Sequence, residues 1–403
     1  MITCVIVGAG GRGKDDYAPY IKKSNLMKIV GVAEPDKAKR ERFKIEYNIS
    51  DENCFESYLD LFSKGKIADA CFICTQDKMH LEPLFMAMNS GYHIMLEKPI
   101  STSIDELKRI ETAARSYNKV FITAYVLRYT PFLKKIKSLI DSGTIGKVIT
   151  VSHNENEGFW HHVHSFVRGE WSKATESSPI IVAKSCHDFD LILYLINSKC
   201  TNVSSFGSNT FFVPENAPGI VPDRCIDGCQ FAESCVYNAV TLYTKGPAKY
   251  FVHKFECGQT DEEIIEALKN KPFGRCIYKC DNDVCDHQVT NLQFENGATA
   301  VFTLSAFSME NTRTLKIMGT KGEIGGCMEK GSITLKTFSD LKEQTFYIEN
   351  DGTKHCGGDS GLVDYFVSLI ENSEIKLDEK MFESHKIAFA AEESRLTGKT
   401  VDL

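Results

Sequence analysis

The chain has 403 residues, which is enough for two or more domains of about 150 residues each. Hydrophobic residues make up 42% of it and charged residues 25%, which excludes a disordered or low-complexity chain. The 47 basic and 54 acidic residues give a net charge of −7, so neither a nucleic-acid partner nor an anionic membrane surface is expected. Small-molecule chemistry is the class of function that remains.

Neither membrane insertion nor export is expected from the sequence. No apolar run approaches the roughly 18 residues that a membrane span needs, and residues 1–7 lack the basic region of a signal peptide. The 15 cysteines are an odd number in a long chain, which favours reduced thiols over a disulfide framework. We therefore expect a cytoplasmic protein with no membrane partner.

The first 124 residues alternate short β-branched runs with longer helical patterns. Strands are predicted at residues 2–7, 27–33, 68–74, 93–96 and 120–123, and helices at residues 36–47 and 103–117. Ser103 and Glu106 have the spacing of a capping box at the start of the second helix. This alternation predicts a Rossmann domain over residues 1–124, with a doubly wound parallel sheet and helices on both faces.

A different pattern begins at residue 125. A helix is predicted at residues 131–142, followed by alternating strands at residues 148–154, 291–294, 299–305 and 314–318, and a last helix at residues 381–396. Strands that alternate polar and apolar residues are typical of antiparallel sheets with one covered face. We predict an α+β domain over residues 125–403 with a large, mostly antiparallel open sheet and a cysteine-rich insertion at about residues 213–286.

A glycine-rich turn follows the first strand and precedes a helical pattern. Residues 8–13 fit the G-x-G-x-x-G fingerprint, in which the glycines permit a tight turn, close approach of a diphosphate and close helix packing. Glu34 ends the second strand, where a carboxylate accepts hydrogen bonds from the adenosine ribose and would repel a 2′-phosphate. The fingerprint predicts NAD as the cofactor, with these candidate contacts: Gly8, Gly10, Gly11, Arg12, Gly13 and Glu34.

The residues Glu97-Lys98-Pro99 follow the fourth predicted strand, at the edge of the sheet where ligands bind. Together with the fingerprint, Thr75 and His80, they resemble the Gfo/Idh/MocA family of NAD(P)-dependent oxidoreductases. The resemblance extends over essentially the whole chain, for instance through Cys186-His187-Asp188-Phe189-Asp190. It implies that Thr75, His80, Glu97 and Lys98 complete the NAD site, that the substrate is a carbohydrate or cyclitol, and that the protein is a homo-oligomer.

The resemblance also implies the catalytic residues. Lys98 is similar to the family lysine that exchanges the hydroxyl proton during hydride transfer, and His187 is similar to a second acid/base or substrate-orienting residue. Many family dehydrogenases carry an aspartate four residues before this histidine, but here Ala183 occupies that position and Lys184 follows it. Either Lys184 supplies the missing polar contact in catalysis, or the proton relay is organised differently and Lys184 is a structural ion-pair partner.

A segment dense in histidine, arginine and tryptophan spans residues 160–171. Its aromatic rings could lie against a sugar, and Arg168 could bind a carboxylate or hydroxyl groups. The alternative is a loop anchored by buried aromatic residues. The full set of candidate substrate contacts is Tyr129, His164, Arg168, Trp171, His187 and His355, the last within a segment that resembles one near the family pocket.

Cysteines cluster in the predicted insertion. Cys225, Cys229 and Cys235 lie within eleven residues, and Cys276, Cys280 and Cys285 follow about forty positions later. Thiolates at such spacings can bind a structural zinc or iron, and related sequences with this insertion suggest either Cys276 or Cys280 as the fourth ligand. We assign a possible metal site to Cys225, Cys229, Cys235 and Cys276; the alternative is a set of buried thiols that pack as small hydrophobic groups.

Three functions follow from these residues. The first is NAD-dependent oxidation of a hydroxyl group in a sugar, sugar acid or cyclitol. The second is an NAD-dependent glycosidase that works by transient oxidation, elimination, water addition and reduction, so that bound NAD is recycled. The third is a catalytically degenerate NAD sensor, against which the presence of both Lys98 and His187 counts.

Overall fold

The structure is a computed structural model that describes residues 1–255, 257–349, 351–353, 355–375 and 377–403. It contains two sheets, one of six strands and one of nine. The smaller sheet is built from the N-terminal residues and the larger from the remainder of the chain. The two-domain Rossmann plus α+β architecture predicted from the sequence is confirmed; the position of the boundary between residues 124 and 125 stays a prediction.

All neighbouring strands of the first sheet are parallel, in the order β3-β2-β1-β4-β5-β6. The chain runs outward from β1 in both directions, so the switch point of the topology lies between β1 and β4, where open α/β sheets bind ligands. The strands are β1 Ile2–Val7, β2 Met27–Ala33, β3 Cys54–Phe55, β4 Ala70–Ile73, β5 His93–Leu96 and β6 Phe121–Thr123.

Five α-helices connect these strands. The fifth is amphipathic and buries Leu107, Ile110 and Ala114 while its charged residues face outward. Such burial on one stripe explains why the helical pattern could be read from the sequence. The helices are α1 Ala18–Ser24, α2 Lys37–Tyr47, α3 Tyr58–Ser63, α4 Leu81–Asn89 and α5 Ile104–Arg115.

The predicted capping box at the start of α5 is wrong. Ser103 is the N-cap residue, but its side chain makes no capping hydrogen bond within the part of the chain that the structure describes. Instead, Ser101 Oγ donates to Glu106 Oε2 over 2.7 Å and accepts from the Ser103 backbone N–H over 3.0 Å. The hydroxyl that partners Glu106 therefore stands two residues earlier than the spacing rule expects.

The second sheet has the order β14-β13-β12-β11-β7-β10-β9-β8-β15. Only the central pair, β7 and β10, is parallel among the strand pairs that the structure describes; the other pairs are antiparallel. The strands are β7 Val148–Gly158, β8 Cys200–Ser208, β9 His287–Phe294, β10 Thr299–Ser308, β11 Thr312–Gly319, β12 Gly322–Cys327, β13 Ser332–Thr337, β14 Lys342–Tyr347 and β15 Val401–Asp402.

Helices cover one face of this sheet, with α9 almost entirely buried. The long helix α13 packs against α9, α8 and β8. No helix within the described ranges is both long and apolar enough to cross a bilayer. The α-helices are α6 Pro131–Asp141, α7 Phe159–His162, α8 Ile180–Ala183, α9 Cys186–Ile196, α10 Ala239–Thr244, α11 Asp261–Asn270, α12 Gly358–Glu371 and α13 Lys380–Thr397.

Shorter helical turns of two kinds complete the structure. Gly11–Tyr17 and Val163–Val167 are π-helical. The 3₁₀ turns are Asp51–Asn53, Asp77–Met79, Val126–Tyr129, Pro214–Asn216, Pro247–Phe255 and Pro272–Gly274.

The cysteine-rich insertion lies between β8 and β9, and its apolar core also includes residues of the segment that follows β7. Phe212, Tyr243, Phe255 and Leu268 are buried in this core together with Val163 of the segment that follows β7. The insertion therefore packs over residues 159–168, on the histidine-rich segment identified in the sequence.

Candidate active site

The glycine loop after β1 has the geometry that its sequence predicts. Gly8 has φ +92°, and a Cβ there would lie 2.7 Å from the Cys74 carbonyl oxygen. A Cβ on Gly13 would lie 2.3 Å from the Gly8 carbonyl oxygen, so both positions require glycine for packing. A Cβ on Gly10 would meet no atom of the described residues within 4 Å, apart from its two chain neighbours. The loop is thus tightly packed behind and open at Gly10, as a turn that admits a diphosphate must be.

Glu34 closes the opposite side of this loop at the carboxyl end of β2. Its buried carboxylate accepts hydrogen bonds from the Ala9 backbone N–H over 2.8 Å and from the Asp36 backbone N–H over 3.0 Å. The acidic group is therefore held directly beside the glycine turn. That placement fits a carboxylate that accepts hydrogen bonds from a ribose.

Arg12 connects the glycine loop to both domains. Its Nε donates to Glu97 Oε1 over 2.6 Å, and its Nη2 donates to Asp359 Oδ1 of α12 over 2.8 Å. A third carboxylate, that of Asp16, lies 2.7 Å from Nη1, and His355 Nδ1 lies 3.3 Å from the same nitrogen. The guanidinium thus joins two predicted site residues, Glu97 and His355, to the loop; its contact with NAD stays a prediction.

Thr75 and His80 bind the backbone at the carboxyl edge of the sheet. Thr75 Oγ1 donates to the Met79 carbonyl over 3.1 Å. The buried His80 ring lies between two carbonyl oxygens, with Nδ1 2.7 Å from that of Pro99 and Nε2 3.1 Å from that of Thr75. His80 therefore ties the loop after β4 to the turn after β5, and the expected contact of both residues with NAD is not tested.

Lys98 and His187, the two predicted catalytic residues, are brought together where α8 meets α9. Lys98 Nζ donates to the carbonyl of Ala183, the last residue of α8, over 3.0 Å. His187 is the second residue of α9 and is buried, and its Nδ1 has no hydrogen-bond partner among the described residues. Burial, and then the charges of Lys98 and Arg313, lower the pKa of His187 well below its ordinary value. His187 is therefore a neutral imidazole whose Nδ1 is buried without a partner among the described residues.

Lys184 lies in a buried network of charges on the covered face of β7. Its Nζ lies 3.2 Å from Glu155 Oε1 and 3.2 Å from Glu157 Oε1. Burial opposes the charge on this amine, but the carboxylates of Glu157 and Glu155 outweigh it and raise the pKa of Lys184. These contacts support the ion-pair alternative, and a catalytic role for Lys184 stays a prediction.

The same network continues to the helix that carries His187. Arg313 of β11 lies 2.7 Å from Glu155 Oε2 and donates to Asp188 Oδ1 over 2.9 Å, and His153 Nε2 lies 2.7 Å from the same Asp188 oxygen. Sequence reasoning missed this set of residues. A signal was present, because alternate residues of β7 share one face of the sheet and three of them here are ionisable: His153, Glu155 and Glu157.

His164 and Arg168 lie against the core of the insertion. The His164 ring stacks between the rings of Phe251 and Phe273, with centroid separations of 4.0 and 4.6 Å. The buried Arg168 donates from Nε to the Arg275 carbonyl over 2.7 Å and from Nη2 to the Tyr237 carbonyl over 2.8 Å. These contacts support the alternative of a loop anchored by buried aromatic residues. Carbohydrate contacts by His164 and Arg168 stay a prediction.

Trp171 and Tyr129, the other predicted substrate contacts, are partly buried at the edges of the domains. Trp171 Nε1 donates to Asp77 Oδ2 in the loop after β4 over 3.1 Å, so it spans from the second domain to the first. The Tyr129 ring packs against that of Tyr365 in α12, with 5.0 Å between centroids. Trp171 therefore contacts the loop after β4, which also carries the predicted NAD contact Thr75.

The four cysteines assigned to a metal, Cys225, Cys229, Cys235 and Cys276, line one cavity of about 240 Å³. None of the 15 cysteines, all of which lie in the described ranges, forms a disulfide. Within the described ranges, however, no group of three or more His, Cys, Asp or Glu side chains has an arrangement that could hold a metal ion. The structure therefore brings the predicted thiols to one cavity but does not support the predicted zinc or iron.

The fold and this site define a class of protein: a two-domain dinucleotide-binding oxidoreductase. A family model described as "Oxidoreductase family, NAD-binding Rossmann fold" matches residues 2–125, and a model for the "GFO/IDH/MocA C-terminal domain" matches residues 133–325. The chain belongs to the Gfo/Idh/MocA family, and its first domain is an NAD-binding Rossmann domain.

Known proteins similar to this chain include oxidoreductases and a hydratase. Putative oxidoreductase YteT of Bacillus subtilis is 24% identical over 325 residues, which are 77% of this chain and 74% of YteT. The 2,7-anhydro-N-acetylneuraminate hydratase of Mediterraneibacter gnavus is 24% identical over 229 residues, which are 57% of this chain and 58% of the hydratase.

Solved structures of two dehydrogenases have the same fold over the whole chain. Levoglucosan dehydrogenase in complex with NADH and levoglucosan matches with a TM-score of 0.75 and 16% identity, covering 100% of this chain and 99% of that one. Myo-inositol 2-dehydrogenase from Lactobacillus plantarum matches with a TM-score of 0.69 and 19% identity, with the same coverage.

Proposed function

We propose that this protein catalyses NAD-dependent hydride transfer at a hydroxyl-bearing carbon of a sugar, sugar acid or cyclitol. The observation that carries the proposal is the meeting of Lys98 with the α8–α9 junction beside a neutral His187. An amine and an imidazole placed together at the carboxyl edge of a parallel sheet can exchange a proton with an alcohol. The similar levoglucosan and inositol dehydrogenases support a carbohydrate or cyclitol as the substrate.

The residues around the glycine loop fit NAD. The open space at Gly10 leaves backbone N–H groups accessible to a diphosphate, and the Glu34 carboxylate lies where a ribose diol would bind. When bound, NAD supplies the hydride acceptor. A 2′-phosphate at Glu34 would place like charges together, so we propose NAD rather than NADP.

Lys98 and His187 divide the proton chemistry in this proposal. The Lys98 amine takes the hydroxyl proton as the carbon is oxidised and returns it in the reverse direction. The neutral His187 ring beside Lys98 hydrogen-bonds the alcohol and fixes the direction of the O–H bond. Lys184 remains charged between Glu155 and Glu157, where it positions the strand β7 that faces α9.

The proposal is tested by replacing Lys98 with alanine and measuring NADH formation on a panel of sugars, sugar acids and cyclitols. We expect kcat to fall at least about a hundredfold, because a positioned general base contributes about two to four orders of magnitude. His253→Ala is the matched control, since that histidine is exposed on the insertion. Wild-type turnover by the Lys98 variant would show that the assignment is wrong.

A second candidate is a redox-neutral cleavage of glycosides, favoured by the similarity to a hydratase of an anhydro sugar. In this route a ring hydroxyl is oxidised to a ketone, the neighbouring C–H loses its proton, and the glycosidic group leaves. Water then adds to the double bond and the ketone is reduced, so electrons balance without net redox change.

Turnover in deuterated water separates the two candidates. The elimination route exchanges the ring proton for deuterium in the product and proceeds without added NAD when the cofactor is retained. The dehydrogenase route leaves that proton in place and accumulates one NADH per product. Accumulation of NADH without any deuterium in the product would exclude the glycosidase candidate.

A further inference from the structure

His385 is a buried histidine of α13 that contacts the turn following Lys98. Its Nε2 lies 2.7 Å from the backbone nitrogen of Ile100, two residues after the lysine, and its side chain has no exposed surface. A backbone N–H can only donate, so Nε2 must be the unprotonated acceptor. The proton of the neutral ring therefore resides on Nδ1.

The other side of the ring completes a directed chain of hydrogen bonds. His385 Nδ1 lies 2.6 Å from Tyr125 Oη, which lies 2.7 Å from Ser384 Oγ, and Ser384 Oγ donates to the Met381 carbonyl over 2.9 Å. Because Nδ1 carries the proton, it donates to Tyr125, which in turn donates to Ser384. Each hydroxyl then has one donor and one acceptor, and the Met381 carbonyl oxygen, which can only accept, lies 3.2 Å from His385 Nδ1 in agreement with a proton there.

Tyr125, a member of this chain of hydrogen bonds, contacts the second predicted catalytic residue. The Tyr125 ring packs edge-on against the His187 ring, with 5.6 Å between centroids. The helix that carries His385 also packs against α8 and α9, which carry the Ala183 carbonyl and His187. The His385 side chain thus contacts the backbone just after Lys98 directly, and it contacts the His187 ring through Tyr125.

We propose that His385 is a positioning residue, which fixes Lys98 relative to His187 by accepting the Ile100 N–H and orienting Tyr125. The inference rests on the proposed hydride transfer, because positioning matters only if the two side chains act on one substrate. His385 itself does not reach the cofactor or the substrate in this role. Its loss should slow the chemical step without weakening binding, since misplacement of catalytic groups is expressed mainly in kcat.

The kinetic test compares His385→Ala with His385→Gln. The glutamine amide oxygen can take the place of Nε2 as acceptor of the Ile100 N–H, whereas alanine offers no acceptor. For the alanine variant we expect kcat to fall at least about tenfold, with KM and the NADH dissociation constant changed less than about threefold. The glutamine variant should recover most of this loss, and His253→Ala should match the wild type.

Two kinetic outcomes overturn the proposal: wild-type kcat in the folded alanine variant, or equal losses in the alanine and glutamine variants. A measurement without substrate covers the case in which a variant does not fold. Nitrogen-15 NMR of ¹⁵N-histidine-labelled wild-type protein, with His385→Gln for assignment, should show Nε2 unprotonated and Nδ1 protonated. A proton on Nε2 overturns the proposal whether or not any carbohydrate is turned over, so its failure is distinguishable from failure of the proposed function.

Discussion

Lys98 Nζ donates a hydrogen bond to the backbone carbonyl of Ala183 over 3.0 Å. The bond joins the end of β5 in the first domain to the α8–α9 junction in the second. Its acceptor belongs to the main chain, so it does not depend on the side chain at position 183. Lys98 is therefore held beside His187 although alanine stands where the family resemblance predicts an aspartate.

The glycine loop allows a matched pair of substitutions. Gly10→Ala adds a methyl group in open space and Gly13→Ala adds one 2.3 Å from the Gly8 carbonyl oxygen. We expect Gly10→Ala to leave the free energy of unfolding in urea within about 0.5 kcal/mol of the wild type while raising the NADH dissociation constant at least about tenfold. Gly13→Ala should lower stability instead, by about 1–3 kcal/mol. Tight NADH binding by folded Gly10→Ala would contradict the proposed position of the diphosphate.

Replacement of Lys184 by methionine should destabilise the fold. The substitution leaves the carboxylates of Glu155 and Glu157 buried without the ammonium that lies 3.2 Å from each. Breaking a buried ion pair by removing one partner costs about 3–5 kcal/mol, which urea unfolding would measure. Adding Glu157→Gln to the same variant should restore part of the loss, because it removes one of the stranded charges. A stable single variant with abolished turnover would instead favour a catalytic role for Lys184.

Burial of His164 should make stability depend on pH. Burial, and then the charge of Lys254, lower the pKa of His164 to about 2, whereas an unfolded histidine titrates near 6.5. The unfolded state therefore binds one more proton between these values, so stability is complete above about pH 6.5 and falls as the pH decreases, by about 1.4 kcal/mol per pH unit.

The matched variant is His164→Phe, which keeps an aromatic ring between Phe251 and Phe273 but cannot take up a proton. Unfolding by urea at about pH 7.5 and about pH 5.5 should show a smaller loss of stability in the variant than in the wild type. Equal losses would mean that His164 is accessible to protons in the folded protein.

The glycine loop could be predicted from the sequence because its chemistry is local. A tight turn with φ +92° at Gly8 requires glycine, and the strand before it and the helix after it are each read from short patterns. Glu34 follows for the same reason, since it ends the next strand along the chain. The N-terminal fold and its ligand edge were therefore accessible without the structure.

The ion pairs of the site could not be predicted in this way. Arg12 meets Asp359 across 347 positions of sequence, and Lys184 meets a strand that precedes it by about thirty residues. Charged residues are usually solvated, so sequence patterns alone do not select which of them pair. The surroundings of His164 and Arg168 could not be predicted either. The insertion that covers them is distant in sequence, and its position in the chain does not show that it packs on this segment.

The insertion between β8 and β9 builds its apolar core with the segment after β7 and enters and leaves the sheet through two adjacent antiparallel strands. Such an arrangement lets an inserted lobe grow, shrink or change its side chains while the register of the flanking strands is preserved. Lineages of this fold could therefore remodel the surroundings of residues 159–168 independently of the machinery at the end of β5.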